Sequence, residues 1–313
     1  MAPTCTILEY LSRPNPRLQN RSSSSGTLTV NDKWIPIEGV QPWVDFAYDI
    51  LCARYESSLR KTITRFDPCC LIANAHLDEV AGEDTIEALA TVNNFMPVSN
   101  ALHATSKGYY GKGSKFFRQQ SDGSSDWGLG DGASKNDGLT TFRNFCSGNI
   151  KSSSKWNSDD LWEVDWSIYL ERRKFINQAR PLEQAQHYGI QLGTRYAWIL
   201  TDKELVKIRI TTSEDDVEDQ PPRSSRGVQH RRLLSDTSNL STALSAMSID
   251  HSACSGQSGS SSGMNPAPLE IARIPWAAGS GKNNEMTINL GLFFIAQLTF
   301  EERSISSSYP PLS

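Results

Sequence analysis

An acid, an amide-x-lysine pair and a glutamine stand apart along the chain at Asp126, Asn149-Ile150-Lys151 and Gln184. Hard cations such as Mg²⁺ or Mn²⁺ take oxygen donors, and a lysine beside them can supply positive charge to an attacking water or a scissile phosphate. That is the chemistry of metal-dependent phosphodiester cleavage. The candidate metal ligands are Asp126 and Asn149. The candidate catalytic residues are Lys151 and Gln184. The i, i+2 spacing of Asn149 and Lys151 puts both side chains on one face of a β-strand. A neighbouring strand must then deliver Asp126, and a following helix must bring Gln184 over the same face.

The hydropathy pattern supplies such elements. A strand is expected over 140–150, running into Lys151. A helix is expected over 181–192, with Leu182, Ala185, Tyr188, Gly189 and Leu192 on one side. Arg195–Leu200 is apolar and aromatic, and Leu205–Ile210 alternates apolar and basic. The turn Thr201–Glu204 joins them as a hairpin. A strand over 269–276 and an apolar helix over 286–300 follow. Upstream, Trp43, Phe46, Ile50 and Leu51 predict a helix over 41–63, and a second is expected over 84–94, closed by Pro97. Residues 105–140 are glycine-dense and predict short strands at best. The order implies an α/β (α+β) fold, a mixed sheet layered with helices.

Ser125-Asp126-Trp127 resembles the Pro-Asp of a PD-(D/E)xK nuclease motif, with Ser for Pro. Gly148-Asn149-Ile150-Lys151 resembles its (D/E)xK, with Asn for the acid. Gln184 resembles the supporting polar residue of the next helix. The chain also resembles a group of uncharacterised proteins of filamentous fungi. Its blocks are Gly148–Lys151, Lys155-Trp156, Pro181–Gln184, Thr194–Val206, Ile274-Pro275-Trp276 and Leu290–Phe294, spanning roughly residues 125–300 less an insertion. The resemblance implies a restriction-endonuclease-like sheet and Mg²⁺ or Mn²⁺ as cofactor. Asn149 departs from it. A neutral amide in place of a carboxylate weakens cation binding, and Asp131 or Glu163 are the nearby acids that would have to compensate. The functions implied are a degenerate, non-catalytic binding module or an active nuclease. A protein-interaction module with a regulated insertion is the reading from another class.

Composition narrows the setting. Hydrophobic residues are 38% of the 313, a low share for a globular chain, and the shortfall falls in residues 211–268. That acidic, then Ser/Gly-rich stretch is expected to be a disordered insertion. Residues 1–33 are expected to be poorly ordered, 34–210 with 269–300 to form one domain, and 301–313 a tail. The net charge of -4 argues against tight, indiscriminate nucleic-acid binding but leaves room for a local groove. Nucleic acid or another protein is the expected partner, and the oligomeric state is open. The six cysteines show no C-x-x-C spacing and are expected to be free thiols. No signal-like N-terminus and no membrane-length apolar run is present, so an intracellular setting, cytoplasmic or nuclear, is expected. His187, Glu163-Val164-Asp165 and Arg195 with Arg209 could each do chemistry. For each, a structural or solvated role is the simpler expectation. The Gly108–Lys115 cluster lacks the spacing of a phosphate loop.

Overall fold

The computed structural model describes residues 3–20, 28–65, 79–113, 125–131, 143–169, 177–213, 267–279 and 285–312. Most of the expected insertion, residues 214–266, lies outside these, as do Cys69, Cys70 and Cys254.

A seven-stranded mixed sheet is the frame. Numbering only its strands in chain order, these are β1 (Val40–Pro42), β2 (Gly108–Lys112), β3 (Trp127–Asp131), β4 (Cys146–Ile150), β5 (Tyr196–Leu200), β6 (Glu204–Arg209) and β7 (Leu269–Pro275). The spatial order is β1-β7-β6-β5-β4-β3-β2. The β2-β3-β4 run is an antiparallel meander, β4 and β5 are parallel, and β5-β6-β7 is antiparallel again. Short parallel β1 closes one edge, and Pro42 limits its ladder.

Helices flank both faces. We number four: α1 (Glu83–Ala90), α2 (Met96–Thr105), α3 (Arg180–Leu192) and α4 (Ile288–Glu301). The parallel β4–β5 pair requires a crossover, and α3 supplies it. Gly193 ends α3 in the left-handed region at φ 64°, where glycine carries no Cβ penalty. Leu182, Ala185, Ala197, Ile199, Val206 and Ile208 form the core on the α3 face. The opposite core is larger, built from α1, α2 and α4 with Cys146, Ile150, Tyr196, Trp198 and Leu200. Helix α4 is buried without a break from Ile288 to Thr299, which explains its apolar composition. Gly148 is required where β4 meets this core, because a Cβ there would stand 1.9 Å from Trp198 Cζ2. Among the described residues, no helix is long and apolar enough to cross a membrane.

Several expectations are revised. The helix over 41–63 is instead β1, two short helices at Tyr48–Arg54 and Glu56–Leu59, and a strand at Thr62–Thr64. Pro97 does not close the second helix. Between α1 and α2 the backbone widens into a π-helical turn, Thr91–Phe95, and Pro97 opens α2. Proline has no N–H to give, and the Asn93 carbonyl takes Asn289 Nδ2 at 3.1 Å instead. Within residues 1–33, Thr6 caps a helix at Ile7–Leu11 through a capping box, and Ile7, Tyr10 and Leu11 enter the larger core. The basic positions of β6 are not solvated: Lys207 is 1% and Arg209 6% exposed. Alternation predicts one wet face only when nothing covers that face, and here α4 with Trp43 and Phe46 cover it.

Candidate functional site

The meander sets Asp126 beside the end of β4, and of the four candidates Asp126 alone lines the cleft found there. Asp126 immediately precedes β3, and its Oδ2 accepts the Ile150 N–H at 3.0 Å, extending the β3–β4 ladder past its last pair, Trp127↔Gly148. Asn149 pairs with Ile199, a residue of the α3-side core, so its amide faces α3. Lys151 continues the same face just beyond β4, its N–H donating to the Leu200 carbonyl at 3.0 Å. Its charge acts on Asp126. Gln184 on α3 donates through Nε2 to the Tyr188 hydroxyl at 3.4 Å, and Tyr188 is close enough to Asp126 for the two to interact.

Three acids not expected from the sequence complete this end. Glu83, Asp84 and Glu87 open α1 and line, with Lys112, Ser125, Asp126 and Ile150, a cleft of about 290 Å³. Glu83 pairs with Lys155 at 3.2 Å. Glu87 accepts the Trp127 indole N–H at 2.8 Å and also pairs with Lys112. The i, i+4 spacing of Glu83 and Glu87 is the signal that was available, since it places both on one helix face. Asp131 and Glu163, the acids expected to compensate for Asn149, do not line the cleft. Asp131 ends β3 opposite Gly108, at the other end from Asp126. Glu163 closes a 3₁₀ turn, and Asp165 caps the next one by accepting the Ser167 N–H.

The electrostatics follow from this crowding. Asp126 is exposed to solvent and lines the cleft. Burial is the main influence pushing its pKa up. The Ile150 N–H and Lys151 oppose that push, and Glu83 and Glu87 reinforce it. Tyr188 is likewise pushed up, mainly by burial. Asn149 is 1% exposed, and neither amide atom has a hydrogen-bond partner among the described residues. A buried amide in that state lacks compensation that a water or a cation could provide to its oxygen.

The oxygen donors of the cleft itself are Asp126 and the α1 carboxylates; Asn149, Lys151 and Gln184 do not line it, and the Asn149 amide faces α3. The geometry is incomplete, because no three His, Cys, Asp or Glu side chains among the described residues are grouped to hold one. His187 hydrogen-bonds Gln191 at 2.9 Å rather than entering the cleft. Arg195 stacks on Tyr196 and Tyr309, and Arg209 is held by Glu270 and Asp45. Gly108–Lys112 is an edge strand, not a phosphate loop. No family model, curated protein or solved structure matches this chain.

Proposed function

We propose that this chain is a divergent PD-(D/E)xK-type domain that binds nucleic acid through a divalent cation in the cleft and has lost efficient cleavage. The supporting topology is helix α1, meander β2-β3-β4, crossover α3 and parallel β5. That arrangement would present an acid, an x-Lys strand end and a helix glutamine to one site. The observation that carries the reading is the Asp126 clamp on the Ile150 N–H, with Asn149 and Lys151 on either side in sequence. Asn149 stands where the motif has an acid. It would offer one neutral oxygen, and the cation would be held more weakly. When bound, the cation would neutralise a phosphate approaching an otherwise acidic cleft. Active cleavage is the second reading, favoured by Glu83 and Glu87 acting on Asp126 from α1.

The experiment adds a charge where the motif expects one. Wild type, Asn149→Asp, Asp126→Ala and Lys151→Ala are assayed for Mn²⁺ binding by calorimetry and for cleavage of plasmid, single-stranded DNA and RNA. The expected result is weak, Asp126-dependent Mn²⁺ binding without cleavage in wild type. Asn149→Asp should bind Mn²⁺ more tightly and gain Lys151-dependent cleavage. Cleavage by wild type would replace this reading with the second one. Folded protein in which neither wild type nor Asn149→Asp binds the ion would sink both.

A further inference from the structure

Beside the cleft lies a second hollow of about 360 Å³, lined by Phe95, Met96, Tyr109, Trp127, Thr91 and Lys112 among others. The binding reading of the cleft leaves it unused. We infer that it is a stacking subsite for one unpaired base of a single-stranded nucleic acid whose phosphate chain passes into the cleft. The second half of that statement rests on the function proposed above.

Four observations point to this occupant. The first is chemical: Phe95, Tyr110 and Trp127 pack on one another as a buried floor, Tyr109 is the half-buried ring at the opening, and base–aromatic stacking is how proteins hold single strands without reading sequence. The second is size. The hollow is near the lower limit for small-molecule sites, suiting one ring system rather than a helix or an extended peptide. The third is continuity. Lys112 lines both hollow and cleft, and Trp127 forms a wall of the hollow while its indole N–H is bound to Glu87 in the cleft. A nucleotide bridging the two would set its base against Tyr109 and Met96, with its phosphate beside the lysine. The fourth is the backbone. Thr91 and Phe95 begin and end the π-helical turn, where the Met96 N–H reaches back to the Thr91 carbonyl. Such turns recur at functional sites. Met96, the next residue, is 45% exposed, one of the few large apolar side chains open to solvent among the described residues. Tyr109 is pushed up to about 12, chiefly by burial with Asp131 adding, so it meets a ligand as a neutral ring.

A duplex cannot use such a hollow without unstacking a base, so single strands are preferred. The test uses the full chain and a short end-labelled oligonucleotide carrying one internal 2-aminopurine, single-stranded or annealed. Label anisotropy reports binding, and 2-aminopurine emission reports stacking. The expected result is quenching by the single strand's complex, with the duplex bound more weakly. Tyr109→Ala and Met96→Glu, the latter at an exposed position, should each lower affinity about tenfold or more and restore emission. Binding with unquenched 2-aminopurine, insensitive to both variants, overturns the subsite and leaves the cleft reading standing. Quenching that persists in EDTA and in Asp126→Ala supports the subsite and counts against the cleft reading. A folded protein that binds neither probe with or without Mn²⁺ overturns both.

Discussion

Replacing Lys207 with methionine should make the protein more stable at neutral pH. Lys207 lies in the middle of β6, 1% exposed, its stem against Gly291 and its ammonium 4.0 Å above the centre of the Phe46 ring. No carboxylate among the described residues pairs with it, and burial alone pushes its pKa well below that of an ordinary lysine. The unfolded chain keeps the group charged up to about pH 10.4. Because the folded pKa is depressed, the unfolded state binds more protons, and stability rises with pH until the unfolded lysine itself titrates. As pH falls towards the folded pKa, that contribution is lost. Wherever the folded lysine is neutral and the unfolded one charged, the slope is about 1.4 kcal/mol per pH unit, so at most about 3 kcal/mol separates pH 7 from pH 9. Methionine has a similar length and no charge. Lys207→Met should flatten the slope and raise the urea midpoint more at pH 7 than at pH 9, followed by tryptophan fluorescence. An unchanged slope, or a variant less stable at pH 7, would mean that the ammonium stays charged in the fold. The attraction of the Phe46 ring would then outweigh desolvation.

Two further outcomes follow from the same packing. Gly148→Ala would drive a Cβ into the fully buried Trp198 ring from a strand held on both sides, and should lower stability by about 1–3 kcal/mol or more in thermal or urea unfolding. Wild-type midpoints in that variant would mean the ring can move. Asp126→Asn removes a carboxyl whose folded pKa is raised, mainly by burial. A raised carboxyl pKa means the charged form costs stability once pH exceeds the unfolded value, so the variant should be as stable as wild type or more so at pH 7 while losing Mn²⁺ binding. Lower stability would show that the attraction of the carboxylate charge for the Ile150 N–H and Lys151 outweighs the desolvation.

Two features at this end of the sheet oppose folding. Glu83 and Glu87 both act against the charge on Asp126, and Asn149 is buried with no hydrogen-bond partner among the described residues.

The sequence alone determined what local pattern controls. The hairpin of Tyr196–Leu200 and Glu204–Arg209, the helix Arg180–Leu192 and the buried helix Ile288–Glu301 were legible because apolar spacing, a Pro start and a Gly stop act within a few residues. That Asn149 lies in a strand was legible for the same reason, and Lys151 falls just past its end. Tertiary structure decided the rest. The helix expected over 41–63 failed because Pro42 and Trp43 dock on β7, the latter through the Ile271 carbonyl, a partner far off in sequence. Arg209 is read as solvated only until α4 and the Trp43–Phe46 segment cover its face, and Lys207 with it. The acids of α1 join Asp126, and Asp131 and Glu163 do not, because the meander fixes which strand end meets which helix. Sequence distance carries no information about that meeting, and only the register of β3 on β4 does.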